Sequence, residues 1–335
     1  MRVWAFALGG YPRNKQVRGL LRSLERGQVP PEEVERGLSE ASAALIGAQQ
    51  ASGMAYVVDG MLDWHDAFRP FVGAWRNVTA TGLLRYFDNN FFYRVPLFTD
   101  KPEAATYVWA PRIRKFSPLA DPWGLKAVIP GPVTFAHMSN AVGGLRKEEL
   151  ADSISRIMEA EAKAAAEAGA KFIQVDEPIL ADVDATPDMA TLASELATRI
   201  AKAAPAARSS LAIYFGVPEP QVYERALDAR VDYISIDFAD APERALALVK
   251  SKGFGGHWPI LGLINARNVY DDPLDKLREL VAKALEGQAT DEVGLTTSTW
   301  LDLIPYEYSL RKTMLLGLLA EGVAKALGAE HVRRG

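Results

Sequence analysis

The chain has 335 residues, 49% hydrophobic and 24% charged, with a net charge of −4 and a pI near 5.7. This is ordinary globular composition, and its acidic balance excludes nucleic acid or an anionic membrane as the main partner. The sequence has no cysteine, which excludes disulfides, a thiolate zinc site and a cysteine nucleophile.

The first apolar run, "VWAFALGG", starts at Val3. It lacks the small-residue cleavage site of a signal peptide and reads as a strand. Four cations follow it, Arg13, Lys15, Arg18 and Arg22. An Ala-rich helix is expected from about Pro31 to Gly53, and then a second strand, "AYVVDGM", from Ala55. The stretch from about 65 to 123 breaks the alternation. It is rich in aromatics and arginine, Arg85 and Arg94 among them, and is expected as a hairpin and helix inserted between strands two and three. "LKAVIPGP" supplies strand three, and a helix follows from Lys147, with Gly169 as its stop. "KFIQVDEP", "SSLAIYFG", "DYISIDF", "PILGLINAR" and "EVGLTTSTW" supply five more strands, with helical patterns between them. A last helix is expected over about Tyr308 to Leu327. No apolar run reaches the ~18 residues that a membrane span requires, and a cytoplasmic protein is expected.

Continuous apolar strands alternating with helices point to a parallel sheet with both faces covered. Eight such units predict an α/β fold, a (β/α)₈ TIM barrel, spanning residues 1–335 as one domain. In that fold the C-terminal strand ends carry the active face. Asp59, Asp176, Glu177, Asp237, Asn265, Arg267, Thr297, Ser298 and Thr299 all fall there. Ending a buried strand on two acids is costly unless they are paired or bind a ligand. Asp176 and Glu177 are therefore expected either to pair with a cation such as Arg267 or to form a site. The candidate catalytic set is Asp176, Glu177, Asp237 and Arg267, and Asp59 and Asn268 join the candidate binding set.

Other chemistries find little support. The histidines, His65, His137, His257 and His331, form no HxxxH or HxH pair, so no metal site is expected. There is no GxGxxG, Walker or GxSxG pattern. The cations after strand one, with Arg85 and Arg94, would suit a ligand bearing several carboxylates.

Several segments resemble one family. "GGYPRNKQVRGLL", "RYFDNNFFYRVPLF", "AVIPGPVTF", "FIQVDEPIL", "IYFG", "GLINARNVY" and "LTTSTWLDLIPYE" are similar, in this order and over nearly the whole chain, to the cobalamin-independent methionine synthases. That family has two homologous barrels. The C-terminal one transfers a methyl group from a methyltetrahydropteroyl polyglutamate to homocysteine on zinc, and the N-terminal one helps hold the folate tail. Where the catalytic barrel would show zinc ligands and a catalytic histidine, this chain has Ile213, Phe215, Asp237, Thr299 and Arg267. "RYFDNNFFY", "IYFG" and "GLINARNVY" instead resemble "KWFDTNYHY", "YFG" and "GLVDGRNIW" of the N-terminal barrel. The resemblance implies tail-binding roles for Arg18, with Arg13 and Lys15 near it, and for Arg85.

Two functions are expected as alternatives. In one, the chain binds a methyltetrahydropterin or folate polyglutamate and works with a separate zinc-bearing catalytic barrel, itself holding no cofactor or metal. In the other, it is a stand-alone enzyme acting on a small substrate through the strand-end carboxylates. A blander reading is a structural subunit with a filled barrel mouth.

Overall fold

The computed structural model describes residues 1–333 apart from Asn90 and Trp123. The chain begins with β1 (Arg2–Phe6), α1 (Lys15–Glu25), α2 (Pro31–Ala51) and α3 (Arg69–Ala74). It continues through β2 (Trp75–Arg85), β3 (Phe92–Ala104), α4 (Trp109–Ala120), β4 (Lys126–Pro130), α5 (Pro132–His137) and β5 (Asn140–Ala141). Next come α6 (Lys147–Glu167), β6 (Phe172–Asp176), α7 (Pro187–Ala203), β7 (Arg208–Ile213) and α8 (Pro220–Ala226). The last elements are β8 (Tyr233–Asp237), α9 (Pro242–Lys252), β9 (Trp258–Ile264), α10 (Leu274–Leu285), β10 (Glu292–Thr297), α11 (Tyr306–Leu327) and β11 (Glu330–His331).

Local chemistry sets the helix ends. Asn14 accepts the Val17 N–H at 2.8 Å and starts α1. Pro31, Glu32 and Glu33 occupy the first turn of α2, where the fixed φ of proline and negative charge both favour a helix start. The expected stop of α6 at Gly169 is observed, with that glycine at φ 111°.

Eight strands form one curled parallel sheet in the order β11-β1-β10-β9-β8-β7-β6-β4. Residues 55–58, expected as the second strand, form instead a single parallel bridge between Val57 and Leu125. Their remaining bonds reach both flanks: the Ala55 N–H donates to Ala5 O at 2.8 Å and the Lys126 N–H to Val57 O at 2.9 Å. The buried Gln49 side chain prevents a longer ladder. It accepts the Val58 N–H at 3.0 Å and donates to Val58 O at 2.7 Å, taking both backbone groups that a neighbouring strand would use.

Inside the sheet's curl lies an aromatic floor of Trp4, Phe6, Tyr56, Phe172 and Tyr233. Ring centroids there stand 4.9 Å apart for Tyr56 and Phe172 and 5.3 Å for Trp4 and Tyr233. In the region expected as an insertion, β2 and β3 pair antiparallel and join β5 in a second, three-stranded sheet. The far end expected for that region, Trp123, lies outside the described residues. Among the described residues no helix is long and apolar enough to cross a membrane.

Candidate functional site at the C-terminal strand ends

Successive side chains of a strand point to opposite faces, so Asp176, which ends β6, and Glu177, which follows it, part company. Asp176 turns into the curl beside Gln174. Its Oδ1 accepts Gln174 Nε2 at 2.7 Å, and its Oδ2 accepts the Tyr214 hydroxyl and the Trp300 indole N–H, each at 3.0 Å. Tyr86 in turn hydrogen-bonds Tyr214. Below them lies Lys126, a fully buried lysine on β4. Its Nζ donates to Ala7 O, Leu8 O and Gln174 Oε1, each at 2.8 Å, and sits 3.7 Å from the centroid of the Phe6 ring. Burial pushes the Asp176 carboxyl up and the Lys126 ammonium well down, and each charge partly offsets the shift of the other.

Glu177 faces the start of α5. It accepts the Val133 N–H at 3.0 Å, the Thr134 N–H at 2.7 Å and the Thr134 hydroxyl at 2.6 Å. It thereby caps α5, whose own N-cap residue, Gly131, has no side chain to do so. Burial raises its carboxyl to about 7 against those bonds.

Of the two alternatives for Asp176 and Glu177, pairing with Arg267 is not observed. Arg267 binds Asp240 Oδ2 at 2.5 Å and donates to Asp88 O at 2.9 Å, tying the loop after β9 to the tip of the β2–β3 hairpin. Asp59 is likewise engaged: it accepts the Met61 N–H at 3.0 Å and Arg112 Nε at 2.7 Å. Asn268 accepts the Tyr270 N–H at 3.0 Å and lines a different cleft, beside α9 and α10. His137 ends α5 with Nδ1 2.9 Å from Val133 O.

Asp237 ends β8 and closes the following turn by accepting the Ala239 N–H at 2.8 Å. Its other oxygen is buried with no hydrogen-bond partner among the described residues. Burial, reinforced by Asp240 and opposed by Arg267, raises its carboxyl to about 8. The folded state then holds a proton that the unfolded chain releases, so this residue's stabilising contribution is complete below about pH 4 and falls as pH rises toward 8. Asp237→Asn is expected to flatten the fall in unfolding free energy between pH 5 and 8, measured by urea titration at several pH values. An unchanged slope would contradict the assignment.

Beside the buried acids a cleft of about 460 Å³ opens between the loops after β1 and β10 and residues 61–66. Arg13 and Arg18 line it, with Trp64, Trp300, Phe91 and Asp302. Two guanidinium N–H groups of Arg13 are anchored, on Leu62 O at 2.6 Å and Trp64 O at 2.9 Å. The other two cations of the candidate binding set lie apart from this cleft. Lys15 is exposed at the first position of α1, and Arg85 faces Asp88 at 3.6 Å across the hairpin tip. Sequence reasoning missed Lys126, Trp64 and Asp302. Of these only Lys126 carried a signal, a cation inside an apolar run.

Comparison with known proteins adds the following. Residues 59–289 match the family model described as cobalamin-independent synthase, N-terminal domain. The chain is 27% identical over 173 residues to a methionine synthase of Sulfurisphaera tokodaii, covering 52% of this chain and 51% of that protein. It is 28% identical over 241 residues to a 5-methyltetrahydropteroyltriglutamate–homocysteine methyltransferase of Streptococcus thermophilus, covering 71% of this chain and 31% of that protein. The chain therefore spans about half or less of these relatives' lengths. Its fold is similar to that of a B12-independent methionine synthase from Shewanella sp. W3-18-1 in complex with selenomethionine. The TM-score is 0.81 at 18% identity, covering 97% of this chain and 98% of that one.

Proposed function

The chain belongs to the cobalamin-independent methionine synthase family, and from that premise we propose that it binds a methyltetrahydropterin with an anionic polyglutamate tail. In this reading it supports methyl transfer to homocysteine together with a separate zinc-bearing catalytic barrel, in the cytoplasm. Residues 55–58 would close the curled sheet as a (β/α)₈ barrel, with 65–123 as an insertion.

The observation that carries the proposal is the placement of Arg13 and Arg18 on one cleft at the strand ends. Guanidinium groups pair with carboxylates through two parallel hydrogen bonds, which suits a glutamate tail. The zinc of the family's catalytic barrel does not fit this chain. Ile213, Phe215 and Thr299 offer no soft ligand, and among the described residues no three histidine or carboxylate side chains converge.

The test is reconstitution. A purified zinc-bearing barrel of the family, given homocysteine and methyltetrahydropteroyl triglutamate, should form methionine faster when this chain is added. Arg18→Ala should reduce the gain. An unchanged rate, with no complex detected by sedimentation, would overturn the proposal.

A further inference from the structure

α11 buries one side against the rest of the molecule, with Leu316, Leu319, Ala320 and Val323 all inside. Its opposite side is exposed and carries Glu307, Arg311, Met314, Leu318, Glu321 and Lys325. The intervals alternate between four and three residues, the spacing that keeps one helix face against a partner helix. At 3.6 residues per turn, all six lie within about 40° of one line along the helix. Met314, 51% exposed, and Leu318, 49% exposed, form its centre. A single exposed apolar residue is ordinary. Two of them four residues apart, between charges on either side, make a short apolar seam with a charged rim.

The order along this face is self-complementary: acid, base, apolar, apolar, acid, base. A second copy laid antiparallel, level at residue 316, brings Met314 to Leu318, Arg311 to Glu321 and Glu307 to Lys325. Each contact then occurs twice, as an isologous interface requires. A parallel copy would set like charges together at all four charged positions, which the same pattern disfavours.

The charged groups are free to engage. Glu307 and Lys325 make no ion pair among the described residues. Arg311 meets Asp271, and Glu321 meets Arg333 at 2.6 Å, both at the surface, where such pairs contribute little and can be shared. There is also room beside α11. Gly317 lets α11 press on the end of α2, since a Cβ there would lie 1.9 Å from Ser52 O. The last turns of α2 expose only short residues, Ala44, Gly47 and Ala51.

We propose that this face is a homodimer surface, on which a second copy of the chain packs its own α11 antiparallel across Met314 and Leu318. Pro305, just before α11, lines the cleft at the strand ends. Antiparallel helices therefore place the two clefts at opposite ends of the dimer, and both stay open. One helix face buries less than the roughly 800 Å² per partner of a standard interface, so the association is weak and depends on concentration.

Sedimentation equilibrium of the full chain, from micromolar to near-millimolar concentration, tests this. The mass should rise from 36.6 kDa toward twice that value. Arg311→Glu and Glu321→Arg each place like charges across the seam, and each alone should weaken association by about tenfold or more. Mixed together, the two variants should associate as the wild type does, because the reversed charges then face each other. The double variant should also recover, and Leu318→Asp should not dimerise. Circular dichroism confirms that each variant is folded. A wild-type chain that stays monomeric overturns the proposal. So does a dimer that neither charge reversal weakens, or one that mixing the two variants does not restore.

Discussion

Lys126→Met is expected to cost about 3–5 kcal/mol of unfolding free energy, the range for removing one member of a buried charged network. A lysine Nζ has three donors, and here each has an acceptor: Ala7 O, Leu8 O and Gln174 Oε1. Methionine has similar length but no donor, so two main-chain carbonyls and an amide oxygen lose a partner inside the curl of the sheet. Asp176 would also lose the cation that opposes its desolvation. Urea unfolding followed by circular dichroism measures the effect. The double variant with Asp176→Asn should lose less than the two single losses added together, because the residues share one network. A loss below about 1 kcal/mol, the centre of the range for ordinary substitutions, would contradict this account of Lys126.

Glu177→Ala is expected to cost about 3 kcal/mol, since two backbone N–H groups and one hydroxyl lose their common acceptor in a buried place. The same geometry predicts intolerance at Gly131. A Cβ there would lie 2.1 Å from Glu177 Cδ, and three hydrogen bonds hold that side chain where it is. Glu177→Gln keeps one acceptor oxygen and should cost less than alanine. Thermal or urea melts of Glu177→Ala, Glu177→Gln and Gly131→Ala test the set. Wild-type stability in Glu177→Ala would contradict the capping role given to Glu177.

The regular part of the fold was legible in the sequence because apolar strands and amphipathic helices announce themselves by period. The second strand is less regular than its composition suggests, for a local reason. "AYVVDGM" has a strand's composition, but the hydrogen bonds of Val58 go to a side chain nine residues earlier, which no hydrophobic pattern reveals. The acids of "VDEP" were found as a pair, and adjacency concealed that one faces the curl and the other a helix end. Lys126 escaped because two of its partners are main-chain carbonyls 118 and 119 residues away, which carry no sequence signature. Charge counting located the basic loop after β1 but could not separate Arg18, on the cleft, from Arg85, which meets Asp88 three residues on.

The central claim is that the cleft binds an anionic pterin, and a calorimetric titration with methyltetrahydropteroyl triglutamate tests it most directly. The account predicts saturable binding that weakens as salt rises, because the contacts are between charges partly exposed to solvent. Arg18→Ala should weaken it, and Arg85→Ala, on the hairpin tip, should leave it unchanged. The contradicting result is a folded protein that shows no saturable binding, or one whose binding responds to Arg85 and not to Arg18.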